Sequence, residues 1–169
     1  MTVTKTGPDA MATAQRQAWL AVLADSARDS LAERVQPWLG QHRQQVLRPP
    51  ETGLVMLRAR VSRSGDRFNV GEVPITRCAL RLCCDVPVDG GADESEGPIG
   101  VGYVLGRDPQ RAWWIATIDA LMQHPDQAGD VRASVLQPLA AENAERRARE
   151  ADRSATSRVE FFTVQGETS

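Results

Sequence analysis

The chain has 169 residues, which fits one domain and suffices to bury a core. Its formal net charge is −2 with 25% charged residues, which argues against a general nucleic-acid binder but leaves room for a local basic face. It is 41% hydrophobic with no apolar run near the ~20 residues that cross a bilayer, so a globular cytoplasmic protein with no membrane span is expected.

Residues 1–9 read as a polar tail, and MTVTKTGPDAMATAQ lacks the apolar centre of a signal peptide. From Ala10 the pattern is helical, with Trp19, Leu20, Leu23 and Ala27 on one stripe. Ser30 and Glu33 form an S-x-x-E capping box ahead of Leu31, Val35, Trp38 and Leu39, which predicts a second short helix closed by Pro37 and Gly40. Residues 41–51 read as a short extended piece ending in Pro49-Pro50.

Period two then takes over. Over residues 53–63, Val55, Leu57, Ala59 and Val61 share one face, and Arg58 and Arg60 the other. Ser64-Gly65-Asp66 predicts a hairpin, with residues 67–73 as the return strand or part of one. Over residues 74–86, Thr76, Cys78, Leu80, Leu82 and Cys84 alternate with Arg77, Ala79, Arg81 and Cys83. If these strands share a sheet, Arg58, Arg60, Arg77 and Arg81 make one face basic, with Arg63 and Arg67 at the turn. Arginines suit phosphate or carboxylate recognition, whereas a solvated sheet face is the plainer reading. Residues 87–98 are acidic and Gly/Pro-rich, and predict a mobile loop. In the strand over residues 99–106, Gly100, Gly102 and Gly106 leave one face nearly bare, which marks close approach by another backbone or a ligand.

The segment GYVLGRDPQRAWWIATIDALMQ (102–123) reads as strand, glycine turn and capped helix. Asp108 suits the N-cap and Pro109 the first helical position. Arg107 and Arg111 flank that start and could hold a phosphate together with the free amides, although Asp108 competes for those amides. Trp114, Ile115, Ile118, Leu121 and Met122 form one apolar arc. Trp113, Ala116 and Ala120 lie elsewhere, and only Asp119 and Gln123 make a polar strip. Two apolar sides call for two covers: this chain's own N-terminal helices, or a partner gripping Trp113.

Beyond Pro125 an apolar stretch is interrupted by Pro138, and residues 140–155 form a charged, solvated helix or an arm lying on a partner. In SRVEFFTVQG (157–166) alternation predicts a strand with Phe161 and Phe162 on opposite faces.

Little acid–base equipment is present. The sequence holds no HExxH, no Walker or GxGxxG loop, and no Ser-His-Asp arrangement that can be placed. The three cysteines, Cys78, Cys83 and Cys84, lack CxxC spacing, and the two histidines, His42 and His124, are far apart in sequence. A zinc site needs about four ligands, so no metal site is expected and the cysteines read as free thiols. No catalytic residue is assigned, and a binding or scaffold protein fits better than a self-contained enzyme.

Four segments in order, ETGLVMLRAR (51–60), GDRFNVGEVPITRCALRL (65–82), GYVLGRDPQRAWWIATIDALMQ (102–123) and SRVEFFTV (157–164), resemble the PhnG family. These are the G subunits of the bacterial carbon–phosphorus lyase system for phosphonate degradation. The resemblance runs from about Trp19 to Phe162. It implies a subunit that docks with the I, H and J subunits in a duplicated core, with the ATP-binding L subunit acting alongside. The G, H, I and L subunits together displace adenine from ATP with a phosphonate, giving alpha-D-ribose 1-phosphonate 5-triphosphate. The resemblance implies no cofactor in this chain: ATP is a substrate of the complex, and the iron–sulfur cluster and S-adenosylmethionine belong to the J subunit. The acidic insertion at 87–98 and Cys83-Cys84-Asp85 depart from the family pattern.

The expectation is thus a single α+β domain. N-terminal helices and a central helix pack on a small, mostly antiparallel sheet, and residues 140–169 form a C-terminal arm. Trp113, Phe161 and Phe162 are expected as interface anchors. Arg107, Arg111, Arg60, Arg77 and Arg81 are candidates for acidic partner surfaces or phosphates. The rival reading is a stand-alone nucleotide- or phosphate-binding protein built on Arg107 and Arg111.

Overall fold

The computed structural model describes residues 8–60, 65–83 and 97–156. The elements are α1 (Pro8–Asp25), α2 (Arg28–Val35), β1 (Gln44–Arg60), β2 (Arg67–Leu82), β3 (Ile99–Leu105), α3 (Pro109–Leu121), α4 (Ala128–Val131) and α5 (Gln137–Thr156). The architecture is α+β. Three antiparallel strands in the order β1-β2-β3 carry α3 on one face, here called inner; α1 and α2 pack on α3, and α5 packs on α1. Val61, Arg63, Cys84, most of the acidic loop and the strand expected over 157–166, with Phe161 and Phe162, lie outside the described residues.

In α1, Leu23 is buried and Trp19, Leu20 and Val22 pack against the core, as the stripe requires, while Ala27 falls between the helices and is exposed. The expected capping box is not formed. Helix α2 begins at Arg28, its N-cap is Ala27 with no side-chain bond, and Ser30 is already inside the first turn. The reason is the tight join to α1: the Leu31 amide bonds the Ala27 carbonyl at 3.0 Å, so the helix starts before Ser30. The Ser30 hydroxyl and Arg34 instead bond Glu142 of α5, and the Arg34 guanidinium first of all holds the Glu142 carboxyl below its usual range.

The piece expected to stop at Pro49-Pro50 runs on. β1 is one strand through both prolines, with irregular pairing between Val46 and Glu51. An edge strand tolerates missing amides, and β1 is an edge. β2 likewise runs unbroken through Pro74. The hairpin is present, with Arg60 opposite Arg67.

The inner face of β2 is Thr76, Cys78, Leu80 and Leu82, all buried, and burial raises the Cys78 thiol above its ordinary range. On β3 the bare face is the inner one. A Cβ on Gly100 would collide with the Ala116 carbonyl, and one on Gly102 with the Ala112 carbonyl. Glycine here lets α3 lie directly on the strand.

Asp108 caps α3, accepting the Arg111 amide at 3.0 Å, with Pro109 at the first position. Every residue from Trp114 to Met122 is buried. The second apolar side of α3 is covered by this chain's own α1 and α2, so two-sided apolarity alone no longer calls for a partner.

Asp119, expected on a polar strip, is fully buried. Its carboxylate accepts from Arg16 Nε (3.1 Å) and Nη2 (2.6 Å), Trp19 Nε1 (2.8 Å) and the Val101 amide (2.9 Å). One side chain thereby ties α1, α3 and β3 together. Past α4 the expected break at Pro138 does not occur. A π turn over Arg132–Leu136 carries the helical path into α5, and such a wide turn relieves the amide that Pro138 lacks.

Removing the Asp119 carboxylate strands a guanidinium, an indole N–H and a strand amide. Asp119→Ala is expected to destabilise the chain by about 3–5 kcal/mol, with Asp119→Asn losing less. Urea unfolding measures both.

Candidate interaction surface

Strand alternation and register decide where the arginines go. Thr52 pairs with Thr76, their hydroxyls 3.0 Å apart, so both lie on the inner face. Counting in twos along β1 puts Leu54, Met56, Arg58 and Arg60 on that side, and Val55, Leu57 and Ala59 on the outer side. Arg77 and Arg81 of β2 point outward, opposite to Thr76. The four arginines therefore do not form one basic face. Beyond Thr52, β1 carries apolar side chains on both faces, Leu54 and Met56 inside and Val55, Leu57 and Ala59 outside, whereas the buried apolar residues of β2 near the body share the inner, core face. Arg77 is held by Glu51 (2.7 Å), which also accepts from Arg48 (3.3 Å), and Arg81 reaches Gln45 (3.4 Å).

The outer face carries apolar side chains with no cover among the described residues. Leu105 is 73% exposed and Tyr103 52%, with Ile99 beside them on β3. The face continues onto a projecting arm. β3 pairs with β2 only from Ile75 to Arg81, so residues 53–60 and 67–74 form a two-stranded ribbon beyond the body. Within it, Leu54 is 60% exposed and Val55, Met56, Leu57, Phe68 and Val70 are exposed as well. Val70 is the extra residue of a bulge between Leu57 and Arg58, with Gly71 beside it at φ +156°. Apolar surface on this scale marks an interaction site.

The helix start is occupied from within. Arg111 Nη2 donates to the Ala24 carbonyl (2.8 Å) and to that of Ser26, closing the C-terminus of α1. Burial pulls its guanidinium below the usual range, with Asp108 and Asp25 opposing. Arg28 donates to Asp108 at 2.9 Å and lies over the Trp114 ring, 5.3 Å from its centroid. Arg107 is exposed and has no hydrogen bond or ion pair among the described residues. Trp113 is half-buried and lines an open cleft of about 220 Å³ with Pro50, Pro109 and Gln110. That is below the roughly 300–1,000 Å³ of ordinary ligand pockets. Arg107 and Arg111 thus meet at the helix start, but Arg111 is committed to the fold.

The structure also joins what the sequence keeps apart. The His42 and His124 rings stack with centroids 6.2 Å apart, and the Gln127 amide nitrogen lies 2.6 Å from His42 Nε2. No spacing signal marks that pair, because a turn and a helix end bring it together. Among the described residues no His, Cys, Asp and Glu group could hold a metal ion.

Arg111→Ala leaves the last carbonyls of α1 without a partner and is expected to destabilise by about 1–3 kcal/mol, whereas exposed Arg107→Ala stays within about 0.5 kcal/mol of the parent. Thermal unfolding of the two variants side by side distinguishes a structural from a free arginine.

Comparison with known proteins places this architecture. The family profile described as "Phosphonate metabolism protein PhnG" matches residues 14–166. The chain is 37% identical over 171 residues to the "Alpha-D-ribose 1-methylphosphonate 5-triphosphate synthase subunit PhnG" of Rhizobium meliloti (strain 1021), an alignment that covers 99% of each. With the profile spanning nearly the whole chain and a relative at that identity end to end, this chain belongs to the PhnG family of phosphonate metabolism proteins.

Proposed function

We propose that this chain is a non-catalytic, assembly-forming subunit of a phosphonate-activating synthase. In this reading it works with the H, I and L subunits in displacing adenine from ATP by a phosphonate, and joins the I, H and J subunits in a core assembly. The observation that carries the reading is the apolar outer face of the sheet, which has no cover among the described residues and continues along the arm. The Rhizobium relative is named as a synthase subunit, and a subunit needs a surface of this kind. The charged groups around α3 support a scaffold role, because buried Asp119 and partly buried Asp108 and Arg111 all bond structural partners. Trp113, with its accessible edge, is a proposed further anchor, as are Phe161 and Phe162.

The rival reading, a stand-alone nucleotide binder at Arg107 and Arg111, has Arg111 working against it, since that guanidinium serves two carbonyls of the fold.

Co-expression with the H, I and L subunits of the same organism, followed by size exclusion, tests the proposal. The chain is expected to elute with them in fixed stoichiometry, and Trp113→Asp to weaken that association. A chain that runs as a lone monomer, or that binds ATP by itself and loses it in Arg107→Ala with Arg111→Ala, would sink the reading.

A further inference from the structure

The arm has two unusual properties together. Leu54 and Met56 lie on its inner face, and Val55, Leu57 and Phe68 on its outer face, all exposed. A ribbon of two strands is marginal in water, and one that is apolar on both sides needs cover on both sides. A flat partner surface covers one side only. The geometry calls for a cleft.

The second property is charge. Arg60 stands directly opposite Arg67, and Arg58 opposite Asn69, on the inner side of the arm tip. All three arginines are exposed, and none has an ion pair or hydrogen bond among the described residues. Like charges facing each other across a strand pair are destabilising, and a carboxylate between them turns that penalty into attraction. The other edge of the sheet is capped at its start: Arg16 and Gln123 bond the Ile99 carbonyl at 3.0 and 2.8 Å, and Asp119 takes the Val101 amide. On the β1 side, by contrast, every residue from 53 to 60 except Ala59 is exposed.

We infer that the arm is the docking element of this chain, and that its occupant is a cleft on another protein subunit with apolar walls and an acidic floor. The walls meet Leu54 and Met56 on one side and Val55, Leu57 and Phe68 on the other. The floor meets Arg58, Arg60 and Arg67. A protein is favoured over nucleic acid because phosphates would satisfy the tip alone and leave the apolar ribbon in water. This inference rests on the subunit reading above and adds the element and the chemistry of its partner.

The test measures binding of the full chain to the co-purified H, I and L subunits, at low and high salt. Two double variants are used. Leu54→Asp with Met56→Asp removes apolar cover and is expected to weaken binding about thirtyfold or more. Arg58→Glu with Arg60→Glu keeps the apolar surface, so it reports even if the first variant disturbs the hairpin. It is expected to lose about tenfold and most of the salt dependence. Arg132→Glu, exposed in the helical layer, should bind like the parent. Arm variants that bind as tightly as the parent overturn the inference and leave the subunit reading standing. A parent chain that does not bind those subunits overturns both. Three other outcomes also overturn it: the arm arginines are needed for a DNA or RNA oligonucleotide, for ATP, or for self-association of this chain, but not for the subunits.

Discussion

Asp119 is the constraint on which the rest of the molecule hangs. A carboxylate buried without partners is expensive, and this one, on α3, is satisfied by four donors from two other elements. Arg16 and Trp19 bring α1 across α3, and the Val101 amide fixes β3 beside it. The same arginine bonds the Ile99 carbonyl, so the start of the β3 edge is capped by the interaction that sets the helix packing. Gly100 and Gly102 make this possible, since a side chain at either would hold α3 away from the strand. Burial of Leu80, Ile115, Ile118 and Leu121 follows from that close approach.

Covering one face and the start of one edge leaves the molecule asymmetric. Helices crowd the inner side, while the outer sheet face and the β1–β2 arm have no described cover. The asymmetry begins in the register: near the body the buried apolar residues of β2 face α3, but beyond Thr52 β1 carries exposed apolar residues on both faces. A chain meant to be monomeric would not place Tyr103, Leu105 and an apolar ribbon in water. A subunit of an assembly does so because another chain completes it.

The helix start at Asp108 shows how a local motif and its surroundings divide the work. Asp108 and Pro109 begin α3 as the local rules require. Arg28 and Arg111 then tie that start to the first two helices, which leaves a cap and a brace in place of an anion site. A phosphate there would have to displace both.

Much of this was legible along the chain. Period two marked β1 and the buried face of β2, and glycine spacing marked the close approach of α3. The cap at Asp108 and the helical character of residues 140–155 were also plain, because each depends on neighbours within a few positions. Four motifs in order were enough for the family. What escaped depends on contacts between distant segments. Asp119 looks solvent-facing until Arg16, 103 residues away, is folded against it. Ser30 looks like a cap until the join to α1 starts the helix early, and Pro138 looks like a break until a π turn absorbs it. The arginines read as one basic face because each strand was judged alone, and only their pairing shows that Arg58 and Arg60 lie on the face opposite to Arg77 and Arg81. Local chemistry determined the elements and the family. Tertiary pairing decided which charges are buried and which apolar faces stay open, because register and packing are properties of two segments at once.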